Sequence, residues 1–224
     1  YDQIEWSLDK LADSDVISAA DAESALDSIT PLVDLEAAVA ETDVVIEAII
    51  EDMDIKKDVY GQLEDYAPKD AIFASNTSSL SISELATATD RPAQVCGMHF
   101  FNPPVRMELV EVISGAETAD GTVEAVADLA EAMDKTPIHV HKDAPGFVVN
   151  RVLVPLLNEA AWQVSDEFAT IEEIDSTAKY DVGLPMGAFE LADLTGNDVN
   201  LHVLEYMHGE LGDAYEPAPL LVEK

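Results

Sequence analysis

The sequence lacks several features that would assign the protein to an easily recognised class. A single cysteine, Cys96, excludes an internal disulfide framework and a metal site built from several thiolates. No apolar run reaches the ~18 residues that a transmembrane helix needs, and the first residues lack the pattern of a signal peptide. We therefore expect a cytoplasmic protein with no membrane-spanning helix.

Basic residues are also scarce. The chain has 11 lysines and arginines but 46 acidic residues, which gives a formal charge of −35. Such a field repels phosphates and argues against nucleic-acid binding. Apolar segments recur along all 224 residues, so the charge does not indicate disorder. The carboxylates are spread over many helix faces, which favours a salt-adapted cytoplasmic protein. The alternative is an acidic surface that binds a partner.

Familiar motifs for phosphate binding and nucleophilic catalysis are absent from these residues. There is no G-x-G-x-x-G turn after a first strand and no G-x-x-x-x-G-K-[ST] loop. There is also no G-x-S-x-G elbow. His139 and His141 alternate on a predicted strand without a nearby carboxylate or thiol cluster, so no metal site is predicted.

Over its first two thirds, the chain contains short β-branched runs that alternate with amphipathic helices. Strands are predicted at 43–50, 71–75, 94–101, 107–113 and 137–141. Helices are predicted at 53–67, 82–88 and 121–135. This alternation predicts an α/β fold with a largely parallel sheet covered on both faces. Such sheets bind ligands outside the carboxyl ends of their strands.

Further along the chain the pattern becomes entirely helical. The apolar segment 144–168 is predicted to form one long helix that Pro155 kinks, and 198–212 is predicted to form a last helix. We therefore predict two domains, an α/β domain over 1–141 and an all-helical domain over 142–224.

Two ionisable residues interrupt apolar strands in the middle of the chain. His99 lies on the predicted strand 94–101, and Glu111 lies on 107–113. A carboxylate that accepts a hydrogen bond from one imidazole nitrogen leaves the other nitrogen to take a proton. The pair is therefore a candidate general base; the alternative is a core histidine satisfied by the backbone. Glu108, on the other face of its strand, is expected to be structural or exposed.

Three further polar sites are candidates for ligand contact. The loop 75–82, SNTSSLSI, follows a strand and enters a helix N-terminus, which suits a carbonyl or phosphate oxygen. Simple capping by Ser81 is the alternative. Asn150 is a polar residue in an apolar helix and bonds either another helix or a substrate. Lys56 begins a helix near Glu51, and the alternative for this lysine is a solvated helix face.

Four segments in a fixed order resemble the L-3-hydroxyacyl-CoA dehydrogenase family, which includes the 3-hydroxybutyryl-CoA dehydrogenases. They are SNTSSLSI, GMHFFNPP with LVEVI, PGFVVNRVLVPLLNEA and GLPMGAFELADLTG, between residues 75 and 196. A weaker match, DVVIEAIIED, extends the resemblance back to residue 43. The resemblance implies an incomplete Rossmann-type NAD-binding domain and a helical substrate and dimerisation domain, in a homodimer that binds acyl-CoA.

The resemblance also implies a role for each candidate residue. His99 matches the base that removes the 3-hydroxyl proton as hydride passes to NAD, and Glu111 matches its carboxylate partner. Ser78 matches a serine close to the substrate oxygen and the nicotinamide, and Asn150 an asparagine that completes the site from the helical domain. The positions that match residues lining the NAD pocket are Glu51, Lys56, Ser78 and Asn102. The positions implied to contact substrate are Ser78, Lys56 and Asn150.

The activity implied is the reversible, NAD-dependent oxidation of an L-3-hydroxyacyl-CoA to the 3-ketoacyl-CoA, in fatty-acid β-oxidation or 3-hydroxybutyryl-CoA metabolism. The family's first strand, G-x-G-x-x-G turn and second strand have no counterpart here, nor does a later segment that closes over the cofactor. We therefore expect residues 1–224 to be part of a longer enzyme.

Two other functions are alternatives to this activity. One is a hydroxy-acid or sugar-acid dehydrogenase of the same superfamily, and the other is a non-catalytic protein that only dimerises.

Overall fold

The computed structural model describes residues 1–222, in which a five-stranded sheet is followed by a helical region. The strands are β1 (Val44–Glu47), β2 (Ile72–Ser75), β3 (Val95–Phe100), β4 (Leu109–Ser114) and β5 (Thr136–Val140). The helices are α1 (Asp2–Asp13), α2 (Ala19–Asp27), α3 (Leu35–Val39), α4 (Met53–Tyr66), α5 (Ile82–Ala86), α6 (Asp120–Ala132), α7 (Val149–Ser165), α8 (Ile171–Thr177), α9 (Ala188–Thr195), α10 (Asn197–Leu211) and α11 (Pro219–Val222).

The strands lie in the order β1-β2-β3-β4-β5 across the sheet. β1, β2 and β3 are parallel, β4 runs antiparallel to β3, and β5 runs parallel to β4. The prediction of a largely parallel, Rossmann-type sheet followed by helices is confirmed. The antiparallel pair shows that the chain doubles back after β3. The carboxyl ends of β1, β2 and β3 therefore meet at the edge of the sheet where β4 begins.

Helices cover both faces of the sheet. On one face, Tyr60 and Leu63 of α4 pack with Phe73 of β2. On the other face, Met98 of β3 packs with Val126 of α6. Because strand side chains alternate between faces, burial of both faces requires nearly continuous apolar strands, as the sequence has them.

The long helix after the sheet begins later than predicted. α7 starts at Val149 instead of residue 144, because Gly146 and Phe147 form a turn with φ values of +77° and +47°. A Cβ atom added at Gly146 would lie 2.8 Å from the Sδ atom of Met207, so the turn packs tightly against α10. From there, α7 packs against α9 and α10.

Two helices near the N-terminus, α2 and α3, were not predicted. α2 buries only Ala22, so its sequence carries little of the apolar periodicity that identifies a helix. The predicted strand 43–50 is also shorter than expected and ends at Glu47. None of the described helices combines the length and the apolar character needed to cross a bilayer.

Candidate active site

His99 and Glu111 lie directly opposite each other in the β3–β4 ladder. Nδ1 of His99 donates to Oε2 of Glu111 over 2.8 Å, and the two side chains are 8% and 0% exposed. The contact predicted from the strand pattern is therefore present. Because the carboxylate accepts at Nδ1, it leaves Nε2 of His99 as the free basic nitrogen.

The second oxygen of Glu111 contacts the start of α7. Oε1 accepts hydrogen bonds from the backbone N–H groups of Val148 and Val149, each at 2.9 Å. A helix N-terminus favours a negative charge, so these contacts support the ionised carboxylate. Because a backbone N–H can only donate, Oε1 of Glu111 is the acceptor in both contacts, and Oε2 faces His99.

Two aromatic rings restrict the position of the His99 imidazole. The ring centroid of Phe101 lies 4.5 Å from that of His99, and the ring centroid of Phe147 lies 5.9 Å away. The left-handed backbone of Phe147 stands directly before the two N–H groups that bind Glu111. Phe147 was not among the predicted site residues, although it follows Pro-Gly at a predicted helix start, which is a recognisable turn signal.

Glu51 organises the loop that follows β2. Its Oε1 accepts hydrogen bonds from Thr77 Oγ1 at 2.5 Å, from Ser78 N at 3.0 Å and from Ser79 N at 3.3 Å. Burial alone would raise the pKa of Glu51, but the Thr77 hydroxyl, the charge of Lys56 and the Ser78 amide together hold that pKa below its ordinary value. The ionised carboxylate thus holds the loop that carries Ser78.

Asn150 connects the helical region to this loop. Its Nδ2 donates to the main-chain oxygen of Ser78 over 3.2 Å. Asn150 therefore bonds a loop carbonyl and not a second helix, which was one of its two predicted partners. The start of α7 is therefore bonded to Glu111, the partner of His99, and Asn150, one residue further along, bonds α7 to the Ser78 loop.

The remaining predicted site residues differ in exposure. Lys56 is 0% exposed and lies between Glu47 Oε1 at 2.8 Å and Glu51 Oε2 at 3.4 Å, so the alternative of a solvated helix face is wrong. The predicted direct contact of Lys56 with a ligand stays a prediction, and it would require this side chain to become exposed. Asn102, two residues after the end of β3, is exposed.

Glu47 is a buried member of this group that was not predicted. It is a carboxylate inside an apolar strand, which is the same signal that identified Glu111. In the residues that the structure describes, no group of three or more His, Cys, Asp or Glu side chains is arranged to hold a metal ion. The polar groups that the structure brings together at the site are His99, the buried carboxylates and the loop that carries Ser78.

A histidine–carboxylate pair beside the strand ends of a Rossmann-type sheet is typical of the nicotinamide-dependent dehydrogenases. Comparison with known families narrows this class. Residues 1–144 match the 3-hydroxyacyl-CoA dehydrogenase NAD binding domain, and residues 146–224 match the 3-hydroxyacyl-CoA dehydrogenase C-terminal domain. The chain belongs to the 3-hydroxyacyl-CoA dehydrogenase family.

Individual relatives agree with this assignment. The chain is 48% identical over 182 residues to 3-hydroxybutyryl-CoA dehydrogenase from Clostridioides difficile, covering 81% of this chain and 64% of that protein. It is 46% identical to a probable 3-hydroxybutyryl-CoA dehydrogenase from Deinococcus radiodurans, covering 97% and 78%. The crystal structure of (S)-3-hydroxybutyryl-CoA dehydrogenase from Ralstonia eutropha superposes with a TM-score of 0.92 at 42% identity, covering 96% and 76%. The chain thus spans slightly less than two thirds of the first of these relatives.

Proposed function

We propose that the protein catalyses the reversible, NAD-dependent oxidation of an L-3-hydroxyacyl-CoA to the 3-ketoacyl-CoA in fatty-acid metabolism. The observation that carries this proposal is the buried contact between His99 Nδ1 and Glu111 Oε2. It leaves His99 Nε2 available to take the proton of the 3-hydroxyl group. Membership of a family of 3-hydroxyacyl-CoA dehydrogenases supports the choice of substrate.

The residues of the chain have distinct roles in this mechanism. His99 Nε2 removes the hydroxyl proton, a step that general-base catalysis accelerates by about 10²–10⁴-fold. Glu111 stabilises the imidazolium that forms, and this imidazolium is the acid in the reverse direction. Ser78 and Asn150, which are bonded to each other, orient the substrate oxygens.

We propose that the nicotinamide half of NAD binds at the edge formed by the ends of β1, β2 and β3. Glu51 keeps 27% of its side chain exposed, and Asn102 is exposed. Ile49 and Ile50, which are 40% and 66% exposed, add apolar surface after β1. These residues, with Ser78, would hold NAD, which when bound supplies the acceptor for the hydride that leaves C3. The 224 residues contain no G-x-G-x-x-G turn for the pyrophosphate.

We further propose a two-domain, cytoplasmic homodimer, divided at residues 1–141 and 142–224, in which the helical domain forms the interface. Large apolar side chains that are exposed in the helical domain support this: Val152, Leu156, Phe168, Tyr180, Val182, Leu194 and Val199. A contiguous exposed apolar patch marks a protein–protein contact, and Leu156, Phe168 and Val182 line one surface depression. A free, buried Cys96 is compatible with a reducing compartment. Analytical ultracentrifugation of the full-length protein should give a dimer, and a monomer would contradict the interface.

The activity is tested by assaying the full-length protein with NAD and (S)-3-hydroxybutyryl-CoA. The unchanged protein should reduce NAD, and His99→Gln should lower kcat by about 10²–10⁴-fold. His141→Gln, which changes an exposed histidine, is the matched control and should keep kcat. Near-normal turnover by His99→Gln would contradict the base assignment.

Two further measurements separate the rival functions. Turnover of free hydroxy acids, without turnover of the acyl-CoA, would favour a different dehydrogenase of the superfamily. Titration with NADH, followed by fluorescence, tests cofactor binding. No binding of NADH by the full-length protein would favour a non-catalytic, dimerising protein.

A further inference from the structure

We propose that Glu47 is a positioning residue that holds the Ser78 loop in place through Lys56 and Glu51. Its effect on turnover rests on the function proposed above, whereas its effect on the loop does not. Glu47 forms no hydrogen bond with a predicted catalytic side chain. It is linked to Ser78 indirectly, because Glu47 binds Lys56, Lys56 binds Glu51, and Glu51 binds Ser78.

The Glu47 carboxylate joins three elements. Glu47 is the last residue of β1, lies opposite Ser75 in the parallel ladder and is 5% exposed. Its Oε2 accepts a hydrogen bond from Ser75 Oγ at 2.7 Å, and its Oε1 accepts from Ile49 N at 2.7 Å and Lys56 Nζ at 2.8 Å. The ends of β1 and β2 and the first turn of α4 therefore meet at one carboxylate.

Lys56 passes this constraint to Glu51. Its ammonium group is fully buried and is shared between Glu47 Oε1 and Glu51 Oε2. A buried ammonium group needs carboxylate or carbonyl partners, because it has lost its hydration. Glu47 is the nearer carboxylate, at 2.8 Å from Lys56 Nζ, whereas Glu51 Oε2 lies 3.4 Å away. The other oxygen of Glu51, Oε1, therefore remains available to accept from the loop.

Ser78 is held at both of its backbone groups by this arrangement. Its N–H donates to Glu51 Oε1, and its carbonyl oxygen accepts from Asn150 Nδ2. Neutralising Glu47 would leave Lys56 with Glu51 as its one carboxylate among the described residues. Glu51 would then be drawn toward Lys56, so the N–H group of Ser78 would lose its acceptor and that of Ser79 would keep only Thr77 Oγ1.

Hydrogen exchange measured by mass spectrometry on the full-length protein tests this chain of contacts. In Glu47→Gln, the amides of 76–80 should exchange about tenfold faster or more, because a buried charge has lost one partner. The amides of α6, on the other face of the sheet, serve as the internal reference and should not change. In the same variant, kcat should fall by about tenfold or more while KM for NAD changes less.

Two variants separate the lost contact from a general loss of stability. Glu47→Gln with Lys56→Met removes both charges of the pair, so it should return the exchange of 76–80 toward that of the unchanged protein. Lys57→Met removes a neighbouring lysine that is 30% exposed and pairs with Glu84, and it should leave the loop unchanged. Equal acceleration in Glu47→Gln and in the double variant would overturn the proposal.

Unchanged exchange of 76–80 in a folded Glu47→Gln protein would also overturn the proposal. If that variant does not fold, Ser75→Ala removes one donor to Glu47 without leaving a charge unpaired, and it should accelerate the same amides. No acceleration in Ser75→Ala would then overturn it. The two proposals can fail separately. If Glu47→Gln accelerates loop exchange but the unchanged protein does not oxidise 3-hydroxyacyl-CoA, the positioning role is supported and the proposed function is contradicted.

Discussion

The imidazole of His99 and the carboxylate of Glu111 lie 2.8 Å apart because β4 folds back on β3 with these two residues in register. The other oxygen of Glu111 binds the first N–H groups of α7. One carboxylate therefore orients the candidate base and also fixes the start of the helix that carries Asn150. The relative position of the sheet and the helical region is thus part of the candidate active site.

Replacing Glu111 with Gln should move the proton of the neutral His99 ring from Nδ1 to Nε2, so that Nε2 can no longer act as the base. The N–H groups of Val148 and Val149 can only donate, so the amide oxygen of Gln would face α7 and its NH₂ group would face His99. His99 would then accept at Nδ1 and carry its proton on Nε2. We expect kcat to fall by about 10²–10⁴-fold with little change in KM for the acyl-CoA, measured by steady-state kinetics.

Glu108→Gln is the matched control for this experiment. Glu108 lies just before the same strand, and its side chain is exposed, as predicted. The control should keep the kcat of the unchanged protein. A rise in KM alone in the Glu111 variant would show that this carboxylate acts in substrate binding instead.

Replacing Gly146 with Ala should destabilise the fold. The φ of +77° disfavours any side chain, and the added Cβ would lie 2.8 Å from Met207 Sδ. We expect the free energy of unfolding to fall by about 1–3 kcal/mol, measured by urea denaturation. Gly61→Ala in α4 is the control, because its Cβ meets no atom within 4 Å, and it should raise that free energy by about 0.5–1 kcal/mol. Equal effects of the two substitutions would contradict the strained turn.

Glu51 should contribute to the acid dependence of stability. Its pKa in the folded protein lies below 4.5, so the folded state favours the charged form. The resulting stabilisation is fully present above pH 4.5 and is lost as the pH falls through the lower folded-state pKa. Urea denaturation at decreasing pH should show this loss, and Glu51→Gln should reduce the slope below pH 4.5. An unchanged slope would contradict the role of the Thr77, Lys56 and Ser78 contacts.

Thermal stability should rise steeply with molar KCl. The chain carries 46 acidic and 11 basic residues, so its carboxylates repel one another unless salt screens them. Thermal denaturation at increasing KCl concentration measures the effect through Tm. A flat response would contradict salt adaptation and leave a partner-binding acidic surface as the explanation of the charge.

Much of the fold was predictable because its signals are local. Short β-branched, apolar runs identified the strands, and apolar residues at helical spacing identified α4, α6 and α10. The start of α7 was placed too early, because the left-handed turn at Gly146 and Phe147 depends on packing against α10 and on Glu111. α2 and α3 were missed, since each buries one residue and so shows little periodicity.

By itself, the sequence determined the order of the elements, the family and the candidate base, because these depend on local periodicity and on motifs of adjacent residues. The sequence also paired His99 with Glu111, but only the tertiary structure decided the other partners of the charged residues. Lys56 is buried between Glu47 and Glu51, and Glu111 is shared between His99 and α7. Burial and hydrogen bonding depend on groups far apart in the chain, and those groups meet only when the sheet and the helices pack together.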